Sequence, residues 1–279
     1  MEQAASSIGI LIATILAAVA SIPQRVAGKE TVMLPMRDGV KLATDIHLPE
    51  GEGPWPTVFV MTPYSKKGVE PFAGETAKRG YALVVQDFRG RFESEGEDWP
   101  VFLSCGWTEH QDGYDTIEWI AGQKWSNGKV GGWGMSAPGI ALNMTAPSRP
   151  PHLTCCYVGV AFSDMYAQAA YQGGAFRKGL LEEWLTQCKF TPKTLELIRA
   201  HPNYDEFWKA LDPEHLAFQV NVPTLFLGGW YDIFSAGTLN SFATINKQGG
   251  EGARGKCRLI MEAYGHGRCD DLVFPNAAQ

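Results

Sequence analysis

Between Thr31 and Met261 the chain alternates short apolar, β-branched runs with stretches of helical period. Thr31–Met36 and Lys41–His47 are two such runs, split by Asp38-Gly39, and predict an N-terminal antiparallel hairpin. Thr57–Met61 and Tyr81–Val85 predict two further strands, which run out into Thr62-Pro63-Tyr64 and Gln86-Asp87. Gln111–Gln123 has the period of a helix, with Tyr114, Ile117 and Ile120 on one face. Lys129–Met135, Leu153–Val160, Thr224–Leu227 and Arg258–Met261 predict the remaining strands. Strands alternating with helices imply an α/β fold: a mostly parallel sheet with helices on both faces.

From about Ser163 to Val220 the strand rhythm stops. Arg177–Gln187, Pro192–Ala200 and Tyr204–Leu211 read as helices instead. The stretch is long for one βα connection. It predicts a helical cap, residues 163–220, inserted over the C-terminal edge of the sheet, where open α/β sheets place their sites. Residues 29–162 and 221–279 then form the core. Residues 1–28 stand apart, because Ile8–Ala20 is apolar and uncharged. That length suits a signal-peptide core better than a membrane span, and Ala18-Val19-Ala20 offers a cleavage site. Met1-Glu2-Gln3 supplies no basic residue, however. Secretion or export to a periplasm is the first reading, with no membrane span in the mature chain. The alternative is an apolar N-terminal helix packed on a cytoplasmic domain.

With 279 residues, 45% of them apolar, the chain can bury one large α/β core. The net charge of −6 comes without any block of Lys or Arg, so nucleic acid is not an expected partner. The six cysteines form no C-x-x-C pair, and neither a metal site nor a cofactor is expected. Cys155 and Cys156 read as buried free thiols in a strand, and Cys257 and Cys269 as a candidate disulfide. A homo-oligomer is compatible with the sequence.

The chemistry concentrates at Gly131-Gly132-Trp133-Gly134-Met135-Ser136-Ala137-Pro138-Gly139, which follows a strand and should open a helix. A serine on such a turn exposes its hydroxyl, and small neighbours let strand and helix approach. The strict G-x-S-x-G pattern fails, since Pro138 stands where the second glycine belongs and Gly139 comes one later. Proline is tolerated because the first helical turn has no use for its N–H. A serine nucleophile needs a base and an orienting acid, and in this fold type they follow it as Asp and then His, each after a strand. Asp232 in Gly228-Gly229-Trp230-Tyr231-Asp232 and His266 in Tyr264-Gly265-His266 meet both conditions. His47 and His110 precede the serine, His152 borders a strand, and His201 and His215 fall in the cap, so they read as packing or surface histidines. The Ala137 N–H is positioned to be an oxyanion donor. A second donor should come from the loop at Thr62-Pro63-Tyr64-Ser65, which is not glycine-rich. There Tyr64 is either a donor through its phenol hydroxyl or a packing residue.

Read together, these stretches resemble a family. Asp38-Gly39-Val40, Thr62-Pro63-Tyr64, Asp87-Phe88-Arg89-Gly90-Arg91, Ser94-Glu95-Gly96, Asp112–Trp119, Trp125–Gly131, the serine turn, Gly173-Gly174-Ala175-Phe176, Gly228–Asp232 and Gly265-His266-Gly267 run in the order seen in the CocE/NonD hydrolases, relatives of the X-prolyl dipeptidyl peptidases. The resemblance covers Lys29 to Gly267. It implies an α/β-hydrolase fold with a helical cap, a Ser136–His266–Asp232 triad, and an oxyanion hole made of the Ala137 N–H and the Tyr64 hydroxyl. It also implies a small-molecule ester or amide substrate.

Three departures stand out. Ala137 replaces the tyrosine usual after the nucleophile, which implies a wider or differently shaped acyl pocket. Tyr264-Gly265 replaces a usual Trp-Thr pair. The sequence also ends 13 residues after His266, where relatives continue into a β-jelly-roll domain, so that domain is expected to be missing. Asp87–Arg91 reads as a structural ion-pair stretch rather than a substrate site.

Serine-dependent ester hydrolysis through an acyl-enzyme is the resulting expectation. The rivals are an amide-cleaving acylase or X-prolyl peptidase, for which Glu182 and Glu183 are candidate amine clamps, and a truncated, non-catalytic scaffold.

Overall fold

A computed structural model of the chain describes residues 26–266. The apolar N-terminal segment and Cys269 of the candidate disulfide lie outside them. Eight strands form one sheet in the order β1-β2-β4-β3-β5-β6-β7-β8. They are β1 (Val26–Pro35), β2 (Lys41–Pro49), β3 (Trp55–Thr62), β4 (Ala82–Asp87), β5 (Ser126–Met135), β6 (Leu153–Gly159), β7 (Thr224–Gly229) and β8 (Arg258–Glu262). β1 and β2 are an antiparallel hairpin, and β2 meets β4 antiparallel. Every pairing from β4 through β8 is parallel. The helices are α1 (Ala73–Lys78), α2 (Asp112–Ala121), α3 (Ala137–Thr145), α4 (Lys178–Gln187), α5 (Pro192–Ala200), α6 (Glu206–Lys209) and α7 (Ser235–Gln248).

One face of the sheet carries the main core. Phe59, Met61 and Val84 of the strands pack with Ile117 and Ile120 of α2, Ile140 and Leu142 of α3, and Ile245 of α7. The other face is covered differently. A smaller cluster of Val60, Leu83 and Val85 meets Val69 and Ala73 at the start of α1, with Phe72 and Trp133 at its margin. Helix α1 packs on β2 and β4 at that face, so helices lie on both faces of the sheet as expected. The β-strand alternation then decides the fate of the two adjacent cysteines. Cys156 points into the main core and is buried, while Cys155 points to the sparsely covered face and is exposed. The reading of Cys155 as buried is therefore corrected.

Helix α2 shows a second difference. Its buried residues are Asp112, Gly113, Thr116, Ile117 and Ile120. Tyr114 is half-buried, with the Arg37 guanidinium 5.5 Å from its ring centroid. The buried polar positions have partners. Arg89 donates to Asp112 at 2.6 and 3.0 Å and to Asp38 at 2.7 Å, tying α2 and the β1–β2 turn to the end of β4. Thr116 donates to Gln86 Oε1 at 3.0 Å. Burial pushes the Asp112 carboxyl up, and the guanidinium pulls it back toward the ionised form. Arg89 is therefore structural, as its sequence context suggested. No helix among the described residues is long and apolar enough to cross a membrane.

Replacing Arg89 with Met leaves the buried Asp112 carboxylate without its cation. The expected cost is about 3–5 kcal/mol of unfolding free energy. Urea denaturation checks it, as a lower midpoint at unchanged slope. A loss below about 1 kcal/mol, the scale of an exposed pair, would remove the ion pair from its central place.

Candidate active site

Ser136 sits between β5 and α3 with φ 56° and ψ −128°, a left-handed backbone that a serine adopts only when its surroundings enforce it. The enforcement is visible. Ser136 N–H donates to the Gly159 carbonyl at 2.9 Å, and its own carbonyl accepts from Ile140 N–H at 2.8 Å. A Cβ on Gly134 would lie 2.3 Å from the Pro138 carbonyl carbon, so strand and helix touch there as the turn requires. Pro138 occupies the first turn of α3, where no N–H is missed. Gly139 is needed as well, since its Cβ would come within 3.0 Å of the carbonyls of Gly134 and Gly159. The glycine displaced by one position in the sequence still serves the close packing.

The structure brings Asp232 and His266 to this serine. Asp232 follows β7 and is buried. Its Oδ1 accepts from Phe234 N–H at 2.6 Å, and its Oδ2 lies 2.6 Å from His266 Nδ1. His266 Nε2 is 2.8 Å from Ser136 Oγ. A carboxylate only accepts, so Nδ1 carries the proton and Nε2 is free to accept from the serine hydroxyl. The loop bearing His266 is laced to the loop bearing Asp232. Trp230 N–H donates to the Glu262 carbonyl at 2.9 Å and Tyr231 N–H to the Tyr264 carbonyl at 3.0 Å. Gly229 permits this, because a Cβ there would fall 2.1 Å from the Tyr264 carbonyl oxygen. Phe234 stands edge-on to the imidazole at 5.2 Å.

Tyr64 reaches the same place from the end of β3. Its loop is clamped: Tyr64 N–H donates to Thr62 Oγ1 at 3.1 Å, Lys66 N–H to Asp87 Oδ1 at 2.7 Å, and Ser65 has φ 81°. The Tyr64 hydroxyl accepts from the Trp184 indole N–H at 2.9 Å and has the Ser136 hydroxyl as a second neighbour. Burial pushes its pKa up to about 12, so the phenol keeps its proton. Ala137 is the first residue of α3, and its N–H has no intrahelical partner.

Ser136, His266, Tyr64 and Ala137 line a cavity of about 100 Å³. Phe102, Ile140, Phe162, Ile233 and Phe234 also line it, together with Met165, Ala169, Leu180, Leu181 and Trp184, these last five from between residues 163 and 220. Among the described residues, no Asp, Glu, Lys or Arg lines it. Glu182 pairs with Arg199 at 2.7 Å on the surface and Glu183 is exposed, so neither serves the clamp they were candidates for. Of the remaining histidines, His110 lies 3.2 Å from Asp38, and His152, His201 and His215 meet Glu118, Asp205 and the Asp212 carbonyl; His47 is buried in β2. Sequence reasoning missed Trp184, which lies 120 residues from its partner Tyr64.

Comparison with known proteins identifies the family and the fold. The model of the X-Pro dipeptidyl-peptidase (S15) family matches residues 38–191 and 178–268. A cocaine esterase from Rhodococcus sp. (strain MB1 Bresler) is 27% identical over 303 aligned positions, covering 88% of this chain and 51% of its own. The chain thus spans about half the length of that relative. A CocE/NonD family hydrolase from Staphylococcus aureus superposes with a TM-score of 0.69 at 27% identity over 84% of this chain and 45% of that one. An α-amino-acid ester hydrolase superposes with a TM-score of 0.67 at 25% identity over 91% and 50%. The fold is that of an α/β hydrolase.

Gly134→Ala tests the close approach behind the serine. It is expected to lower stability by about 1–3 kcal/mol, as overpacking does. Gly28→Ala, where a Cβ meets nothing within 4 Å, is the control and should stay within about 0.5 kcal/mol of the parent. Paired denaturation curves decide, and equal stability of the two variants would show that strand and helix have room to spare.

Proposed function

The chain belongs to the X-Pro dipeptidyl-peptidase (S15) family, and we propose that it is a serine hydrolase that cleaves small carboxylic esters through an acyl-enzyme intermediate. The observation that carries this reading is the line Ser136 Oγ–His266 Nε2–His266 Nδ1–Asp232 Oδ2, with links of 2.8 and 2.6 Å, on the wall of a mostly apolar cavity.

The steps follow from which atoms face each other. A substrate acyl carbonyl enters the cavity, and Ser136 Oγ attacks its carbon while His266 Nε2 takes the hydroxyl proton. Asp232 holds the imidazole in the tautomer that makes Nε2 the acceptor. Charge then gathers on the former carbonyl oxygen, where the Tyr64 O–H and the Ala137 N–H donate to it. The C–O bond to the alcohol breaks, and the departing oxygen receives the proton from His266. Water repeats the sequence to release the acid and restore the serine.

An ester is favoured over a free peptide because, among the described residues, nothing in the lining would hold a cationic amino terminus. The family match keeps a second reading in view, hydrolysis of an amide whose acyl part is neutral. A p-nitrophenyl ester and a p-nitroanilide of one acyl group separate the two. Names of relatives also favour the ester: cocaine esterase and α-amino-acid ester hydrolase. The ordered triad speaks against an inert scaffold.

Ser136→Ala is expected to lower kcat for p-nitrophenyl acetate by roughly a million-fold and to abolish labelling by a fluorophosphonate probe. Residual turnover above about a tenth of the parent's would refute the nucleophile. Tyr64→Phe keeps the ring and deletes one donor. It should cost on the order of 10²–10³ in kcat with KM nearly unchanged, because the bond strengthens as charge develops. Steady-state kinetics at several substrate concentrations provide the check, and an unchanged kcat would return Tyr64 to a packing role.

A further inference from the structure

Tyr64 must present its proton, and not its lone pairs, toward the reacting oxygen. A phenol oxygen carries one hydrogen and two lone pairs, so which way it points depends on what else it bonds. In this chain the partner is an indole. Trp184 Nε1–H can only donate, and it lies 2.9 Å from the Tyr64 hydroxyl oxygen. With that lone pair engaged, the phenol hydrogen is left to point away from the indole, and Tyr64 and Ser136 line the same cavity. The bonds around the nucleophile are Trp184 N–H to Tyr64 O on one side and, on the other, Ser136 O–H to His266 Nε2 and His266 Nδ1–H to Asp232.

The indole is held where it can do this. It stacks flat on Phe102, with ring centroids 5.9 Å apart and planes 4° apart, and Phe190 tilts against it at 5.0 Å. Its helix α4 is anchored beneath by the buried side chains of Leu181 and Leu185. A rotated Trp184 would leave Phe102 and expose the Tyr64 oxygen to any other donor.

We infer that Trp184 is a positioning residue of the oxyanion site: its indole N–H fixes and polarises the Tyr64 hydroxyl so that the phenol proton is aimed at the reacting oxygen. The inference rests on the ester-hydrolase reading for its kinetic consequence, while the contact itself does not. A donor to one side of a hydroxyl also makes the opposite O–H a stronger donor. Trp184 is thereby distinguished from Phe102, Phe162 and Phe234, which fill space, and it makes the oxyanion site depend on helix α4.

The test is a double-mutant cycle of Trp184→Phe and Tyr64→Phe, read with p-nitrophenyl acetate, whose acyl group is too small to depend on the cavity wall. Trp184→Phe alone should lower kcat by about tenfold, with KM moving less than about twofold. In the Tyr64→Phe background the same change should alter kcat by less than about twofold, because there is no hydroxyl left to position. An equal loss in both backgrounds would assign Trp184 to wall packing and overturn the inference. A second measurement needs no activity. In ¹⁵N-tryptophan-labelled protein, the indole N–H signal that Trp184→Phe removes should move when Tyr64 is replaced by Phe. If that signal stays in place, the contact does not exist in solution and the inference falls. A parent protein that neither labels with fluorophosphonate nor cleaves esters would defeat the proposed function instead, leaving the indole signal to decide the contact.

Discussion

A Cβ on Gly134 would lie 2.3 Å from the Pro138 carbonyl carbon, and everything else at the site follows from the absence of that atom. It lets β5 run straight into α3 with a single residue at the corner. That residue is Ser136, held at φ 56° by a bond from its N–H to the Gly159 carbonyl of the neighbouring strand β6. A left-handed serine is a strained serine, and strain of this kind persists only where the surroundings over-determine it. The return is position. The hydroxyl projects from the sheet's C-terminal edge while the first-turn N–H of Ala137 faces the same space.

The partners arrive by the same device, used once more. Gly229 ends β7, and the carbonyl of Tyr264 would lie 2.1 Å from its missing Cβ. The loops after β7 and β8 can therefore lie against each other, joined by backbone bonds from Trp230 and Tyr231. Asp232 and His266 belong to loops separated by the whole of α7, yet they meet at 2.6 Å because their backbones are in contact one turn earlier. The side chains themselves store little of this precision. It resides in which positions lack a Cβ.

These constraints explain what could be read from the chain. Ser136, Asp232 and His266 stand out because glycines mark the turns beside them and β-branched runs mark the strands before them. Helix α7, Ser235–Gln248, leaves no such trace: its buried residues are Gly237, Thr238, Ser241 and Ile245, too small and polar to make an apolar stripe. Helix α2 misleads for a related reason, since the period of its buried face is completed by Asp112 and Thr116, whose burial depends on Arg89 and Gln86 elsewhere in the chain. Cys155 is exposed although its strand reads as buried, because the cover over its face of the sheet depends on the third dimension. Trp184 reads as an ordinary apolar residue of an amphipathic helix. Only the fold reveals that its N–H ends on Tyr64.

The stretch from Asp87 to Asp98 connects the loop that carries Tyr64 to the turn after α4. Asp87 accepts from Lys66 N–H and fixes the loop that carries Tyr64. Arg91 donates to the carbonyls of Cys188 and Lys189, and Asp98 accepts from Thr191 N–H at 3.0 Å and from its hydroxyl at 2.6 Å. Both hold the turn between α4 and α5, directly after the helix that carries Trp184. The Arg91 guanidinium also lies 4.1 Å from the Phe190 ring centroid. Burying such charges gains little net stability, because desolvation offsets most of the attraction. What they supply is direction: a guanidinium with five donors and a carboxylate with two acceptor oxygens accept only one arrangement of the turn they grip. The two residues that meet at 2.9 Å, Tyr64 and Trp184, are thus held from opposite sides by one loop, and the contact between them inherits its geometry from that loop.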